Sequence, residues 1–293
     1  MSDLPMRWQD IAAVRGLRRM TVGGSLLAVD RAALAIGAFI LVVVIPFAYL
    51  LGVIDAALLS KLGQYAAVAV AAVGLDLVWG CAGILSLCQA MFFTLGGYAL
   101  GMYLCMHGPK DAVTGTVPLA LYEMSSNPNG VTLPAFWQPF DSFLFALVMV
   151  VAVPGIFAFI FGWFAFRSRV RGVYFSIITQ ATTIAVWMLL CRNDMQLCGT
   201  NGLTKFTHFL GVPLSDPGGK LLLYLMSALL LIAAVAFGMW LISTRFGRIL
   251  LAVRDSENRL RFAGYYPVSY KAAIFTIGAV LGGLGGALYA PQT

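Results

Sequence analysis

Residues 32–51 read AALAIGAFILVVVIPFAYLL, twenty consecutive residues without a charge. A helix needs about 20 residues to cross roughly 30 Å of hydrocarbon, and backbone groups with no water to bond leave little alternative to helix there. This stretch sets the fold class as an all-α, polytopic transmembrane helical bundle. Outward from it, apolar windows recur at about Gly63 to Gly80, Gly83 to Met106, Phe143 to Phe166, Gly172 to Cys191, Leu221 to Ile242 and Ala272 to Ala290. The expected organisation is a basic segment over 1–31 and a membrane domain of about seven spans over 32–293. Composition agrees, with 60% of the 293 residues hydrophobic and 11% charged, against about a quarter charged in soluble domains. A soluble enzyme and a disordered chain are both excluded on those figures.

The charges orient the bundle. With the N-terminus cytoplasmic, fourteen of the nineteen Lys and Arg residues fall on the inner side, in the first 31 residues, around Arg167 to Arg171, and from Arg245 to Lys271. The positive-inside rule therefore predicts a multi-pass membrane protein with its N-terminus in the cytoplasm. The net charge of +7 is accounted for in this way, with no nucleic acid required. Residues 6–20, MRWQDIAAVRGLRRM, read either as a helix lying on anionic lipid or as a basic tail. Long segments at Gly108 to Gln138 and Arg192 to Lys220 carry turn formers and are expected outside.

No metal site is expected, because the two histidines, His107 and His208, begin no HExxH pattern and the five cysteines form no CxxC pair. No Walker pattern occurs either. The chain is expected to bind no cofactor and to be no enzyme, so any ATP must be used by partner subunits.

Polar residues inside apolar windows mark the candidate path. Asp76, in GLDLVWG, is costly in hydrocarbon and should face a bundle interior, a water path, a partner or the interface. Residues 83–103, GILSLCQAMFFTLGGYALGMY, combine Ser86, Gln89 and Thr94 with Gly97 and Gly101, and WGCAG at 79–83 admits a broken or re-entrant helix. Residues 172–190, GVYFSIITQATTIAVWMLL, hold Ser176, Thr179, Gln180, Thr182 and Thr183. Ser176, Gln180 and Thr183 share one helical face, which suits either a channel for a small neutral solute or hydroxyls bonded back to their own helix. Gly278, Gly282 and Gly286 form a small-residue ridge for close packing against another helix or subunit.

Residues 243–271, STRFGRILLAVRDSENRLRFAGYYPVSYK, carry a narrow apolar stripe of Phe246, Ile249, Leu250 and Val253 between charged faces. Such a segment either docks into a partner groove or lies on the membrane.

Four stretches together resemble the permease subunits of the branched-chain amino acid and urea class of ATP-binding-cassette importers, most closely the urea permeases of the LivM-like type. They are GLDLVWGCAGILSLCQAMFFTLGGYALGMYL, RGVYFSIITQA, GTNGLT, and FGRILLAVRDSENRLRFAGYYPVSYK followed by GALYAPQ. The resemblance spans about Ala32 to Gln292. It implies a urea permease, with branched-chain amino acids or short-chain amides as the alternative cargo and an ion-coupled carrier as the alternative of another class. It implies as partners a second, related permease in a heterodimer, two cytoplasmic ATPases and a periplasmic solute-binding protein. It also implies a cytoplasmic coupling segment at 244–264, in which Phe246, Gly247, Arg248, Arg254, Asp255, Glu257 and Gly264 contact or brace the ATPase. Asn201, with Thr179 and Gln180, matches the family's second polar pair of segments. Cys88 and Gln89 stand where the family often has glycine and histidine. The family usually continues past the PQ pair with further spans, so the chain is expected to be incomplete at its C-terminus.

Overall fold

The computed structural model describes residues 32–110, 117–119, 121, 133–168, 170, 172–192, 195–199, 202–204, 206–209, 211–214 and 216–293. The basic segment 1–31 lies outside the described residues.

Eight helices order the described chain. They are α1 (Ala32–Leu50), α2 (Ala56–Cys81), α3 (Gln89–Met106), α4 (Phe143–Arg167), α5 (Val173–Leu190), α6 (Pro217–Ser243), α7 (Arg245–Phe262) and α8 (Pro267–Tyr289). Six of them, all but α3 and α7, are long and apolar enough to cross a membrane, and the chain is a multi-pass membrane protein. The 18 residues of α3, at 1.5 Å each, make about 27 Å of helix. A two-residue hairpin, β1 (His208–Phe209) with β2 (Val212–Pro213), interrupts the helical architecture. Its turn contains Gly211 at φ 83°.

Helix boundaries extend beyond several apolar windows. α8 begins at Pro267 rather than Ala272 and so includes Lys271, while α6 begins at Pro217, where the missing amide of proline costs nothing. The opposite holds at Gly83, where the third window starts but helix does not; α3 begins six residues later.

α8 is the axis of the bundle. Its mean exposure is low because three helices, α2, α3 and α4, reach its backbone through glycines. A Cβ at Gly278 would lie 2.8 Å from Gly74 O of α2, and one at Gly285 would lie 2.5 Å from Ala67 O of the same helix. A Cβ at Gly283 would lie 2.9 Å from Val150 O of α4. Toward α3, Cβ atoms at Gly286 and Gly96 would overlap Phe93 O and Gly283 O respectively. The predicted ridge Gly278, Gly282 and Gly286 therefore packs within this chain. Gly97 joins it, 3.2 Å from Gly286 O on the same measure, whereas Gly101 is covered by Leu203 and Phe206 of the segment before β1.

Toward the α7 end, aromatic rings lock the helices. Phe275 of α8 meets Phe92 of α3, Phe166 of α4 and Phe175 of α5 at 5.6–6.0 Å between ring centres, each edge to face. Phe175 thereby pins the start of α5, whose outer face is largely exposed: Val173, Tyr174, Ile177, Trp187 and Met188 are all uncovered. At the far end Trp137 is fully buried and donates from Nε1 to Gln196 O at 3.2 Å. Cys198 is buried in the same cluster, and burial pushes its thiol up to about 11.

Candidate functional site

The site is built around a break in the second span. α2 is α-helical to Asp76 and widens to a π-turn over Leu77–Cys81. Gly83, at φ 67°, then ends it, its amide donating to Trp79 O at 2.9 Å. Only glycine adopts that left-handed conformation without steric cost, so this is a helix C-cap by backbone geometry.

Residues 83–88, GILSLC, run without helix to the start of α3. Burial alternates along them, with Ile84, Ser86 and Cys88 inward and Leu85 and Leu87 outward, as an extended chain dictates. Ser86 Oγ lies 3.0 Å from Cys88 Sγ. An unwound backbone in an apolar bundle must find hydrogen-bond partners elsewhere. It finds them on α5, where Ser176 Oγ donates to Leu85 O at 2.8 Å and Leu87 N donates to Thr179 Oγ1 at 3.1 Å. Thr183 Oγ1 reaches Leu87 O at 3.4 Å while bonding Thr179 O at 2.9 Å. A hydroxyl both donates and accepts, which is why Thr179, 0% exposed, can take the Leu87 amide and still give its own proton to Ser176 O at 2.9 Å.

Just beyond this contact a cavity of about 200 Å³ opens between α3 and α5, lined by Ala90, Met91, Thr94, Thr183, Ile184, Val186, Trp187 and Leu190. Thr94 and Thr183 bring hydroxyls to it and Trp187 an indole ring. Thr94 Oγ1 donates to Ala90 O at 2.9 Å, which leaves its lone pairs for a visitor. A wider cavity of about 660 Å³ lies at the far end, lined among others by Ser60, Thr204, Phe206, Lys220 and Gln292, and contains none of the α5 hydroxyls.

The sequence-predicted path residues divide accordingly. Ser86, Ser176, Thr179 and Thr183 gather at the unwound stretch, and Thr94 joins Thr183 at the cavity. Gln89 sits apart from the cavity lining as a staple, its Nε2 donating to Ala71 O of α2 at 3.1 Å and to Gly278 O of α8 at 2.9 Å. Asp76 is exposed near the α7 end, one turn before Gly80, and Gln180 is exposed on α5. Asn201 lies outside the described residues.

α7 lies across the cytoplasm-predicted end of the bundle. Thr244 caps it, accepting from Gly247 N at 3.4 Å, and Leu250, Val253 and Leu260 are buried beneath it. Phe246 rests on Tyr270 with ring centres 5.7 Å apart. The helix is interrupted at Ser256, which is extended. Arg248, Arg254 and Asp255 are exposed and Glu257 turns inward; Arg254, its side chain 47% exposed, pairs with Asp255 Oδ1 at 3.6 Å and also reaches back to the bundle. Arg254 Nη1 donates to Gly80 O at 2.6 Å. Glu257, with a side chain 15% exposed, bonds Arg261 at 2.7 Å and Lys271 of α8 at 2.9 Å. Gly264 ends the segment at φ 84°. The resemblance implies that all four charged residues contact or brace the ATPase. Lys271 enters only the count of basic residues, and nothing in the sequence pairs it with Glu257.

Residues 57–293 match the family model described as the branched-chain amino acid transport system permease component. The chain belongs to that family. It is similar to the high-affinity branched-chain amino acid transport system permease proteins LivM of Salmonella typhimurium and Escherichia coli, at 27% identity to each over 146 residues. Each match takes in 42% of this chain and 34% of the relative, so the matched region spans about a third of the relatives' length. No solved structure gives a significant match. The permease family makes the chain a transport component.

Proposed function

We propose that this chain is a membrane-spanning permease subunit of an ATP-binding-cassette importer, and that its solute, urea, passes through the threonine-bearing cavity beside the unwound stretch 83–88. The single observation that carries this is the break itself, a non-helical backbone held by Ser176, Thr179 and Thr183 next to a small cavity. Discontinuous helices supply solute sites because their free ends present dipoles inside the membrane. The first turn of α3, Ala90 and Met91, borders the cavity, so the positive end of that helix faces a solute carbonyl. Thr94 and Thr183 accept from its N–H groups. No charged side chain lines this cavity, which suits a neutral amide better than a zwitterion.

In the membrane, α7 and the N-terminus face the cytoplasm of a bacterial cell, consistent with the positive-inside count. The exposed Arg248 and Asp255 present the coupling surface to two ATPase subunits, which hydrolyse the ATP that this chain does not. The bare outer face of α5 faces a second, related permease, and a periplasmic solute-binding protein delivers cargo at the far end.

A second reading, branched-chain amino acid import, is favoured by the aliphatic lining Met91, Ile184, Val186 and Leu190 and by the LivM similarity. Uptake into proteoliposomes with the cognate binding protein and ATPases, competed with urea, acetamide and leucine, tests both. Urea is expected to compete fully. Full competition by leucine without urea overturns the urea assignment, and uptake that ignores ATP but collapses with the proton gradient overturns the importer.

A further inference from the structure

The carbonyls of the last turn of a helix have no partner within it. At the end of α2 one of them, Gly80 O, takes the guanidinium of Arg254 at 2.6 Å. The stem of the same side chain lies on Gly83, where a Cβ would come 2.8 Å from Arg254 Cγ and 3.5 Å from Cδ. One side chain of α7 thus reaches both Gly80, near the end of α2, and Gly83, where the unwound stretch begins. Around it, Leu250 packs in the same buried cluster as Val78, Cys81, Ile84 and Cys88. Beyond the interruption at Ser256, Glu257 ties the second half of α7 to Lys271 of α8. Both halves touch α8, the first through Phe246 on Tyr270 and the second through Glu257, but the first half alone carries the attachment to the break, and a non-helical residue separates Arg254 from Glu257.

We propose that Arg254 is a positioning residue that transmits movement of α7 to residues 83–88, rather than a contact for the ATPase. Displacing the first half of α7 drags Gly80 O and Gly83, and the unwound stretch then shifts against Ser176, Thr179 and Thr183, opening or closing the cavity between α3 and α5. This rests on the importer reading for its purpose, but the attachment itself does not.

Two measurements separate them. In the full chain in lipid nanodiscs, Arg254→Ala is expected to speed amide hydrogen exchange across 84–88 by about tenfold, the scale on which losing a hydrogen bond from a charged donor acts. Arg254→Lys, which keeps a cationic donor one bond shorter, is expected to keep most of the protection, and Thr179→Val serves as a positive control that frees Leu87 directly. Exchange at 84–88 that is the same in Arg254→Ala and wild type overturns the proposal. In the assembled transporter, Arg254→Ala is expected to raise the ATP hydrolysed per solute imported by about tenfold on the same reasoning, with Arg254→Lys restoring the ratio. An unchanged ratio, or a parallel loss of turnover and uptake, assigns Arg254 to the ATPase interface and overturns the role. If the wild-type assembly shows no ATP-driven uptake, the importer reading fails, and the exchange result alone decides whether Arg254 holds the break.

Discussion

The glycine face of α8 and the hydroxyl face of α5 carry the same kind of signal, small side chains three or four residues apart in an apolar helix. Yet α8 belongs to a span whose core window is 67% buried, and α5 to one that is 22% buried. The glycines remove side chain so that three backbones can approach a fourth. The hydroxyls instead supply hydrogen bonds to a backbone that has lost its helical ones. Spacing identifies the residues that share a face, whereas what lies opposite is decided by chain segments roughly 90 to 190 residues away.

The comparison breaks first at α8. Gly286→Val places methyl groups on Phe93 O, and overpacking of this kind is expected to cost about 3 kcal/mol or more. It should appear as loss of monodisperse protein in size-exclusion chromatography, while Gly37→Ala, with nothing near its Cβ, behaves as wild type. If Gly286→Val elutes and melts normally, the ridge is not a packing surface.

On α5, Thr179→Val keeps the shape but orphans the Leu87 amide, for an expected loss of about 1–3 kcal/mol. Thr179→Ser should restore most of it, and thermal unfolding in detergent reads both. Equal stability of Val and Ser variants would mean that the hydroxyl holds nothing.

A glycine that faces a loop sharpens the contrast. Gly101 is covered by Leu203, and Cys198 is packed in the same cluster. With its thiol pushed up to about 11, Cys198 stays protonated in the folded protein through pH 9 and holds its proton more tightly than the unfolded chain does. Its contribution to stability is therefore present below pH 9 and is lost as pH climbs toward 11. At pH 8 maleimide should label the partly exposed Cys191 and leave Cys198 unmodified until denaturant is added, as peptide mass spectrometry would report.

The smallest effect belongs to Thr182. Its hydroxyl bonds Ile178 O of its own helix at 2.8 Å, so Thr182→Ala is expected to change the melting free energy by about 0.5 kcal/mol or less. A larger change would erase the distinction between hydroxyls that hold the break and hydroxyls that do not.

Much of the fold was legible because apolar runs of membrane length have one physical solution, and WGCAG at 79–83 admitted a broken helix. The site was only partly legible. The polar stripe visible in the sequence was Ser176, Gln180 and Thr183, of which Gln180 is exposed, while Thr179 takes the Leu87 amide; the partner is main chain, and carbonyls and amides have no sequence signature. Gln89 looked equally suited to a solute because an amide donates identically to a cargo and to Ala71 O. Arg254 was placed at the ATPase by resemblance alone, and nothing in the sequence marks Gly80 O as its acceptor. Its reach to that carbonyl depends on an open place above Gly83, which only the assembled bundle creates.

The bond between Leu87 and Thr179 joins residues 92 apart in the chain, and it has a consequence for biogenesis. At about 5–20 residues per second of synthesis, the stretch after α2 leaves the ribosome on the order of five to twenty seconds before the helix that will satisfy it. During that interval its main chain has only water, lipid headgroups or the insertion machinery to bond. The third helix cannot settle at its final depth until the fifth arrives, so maturation of this half of the protein is set by a late translational event rather than by the order in which its spans emerge.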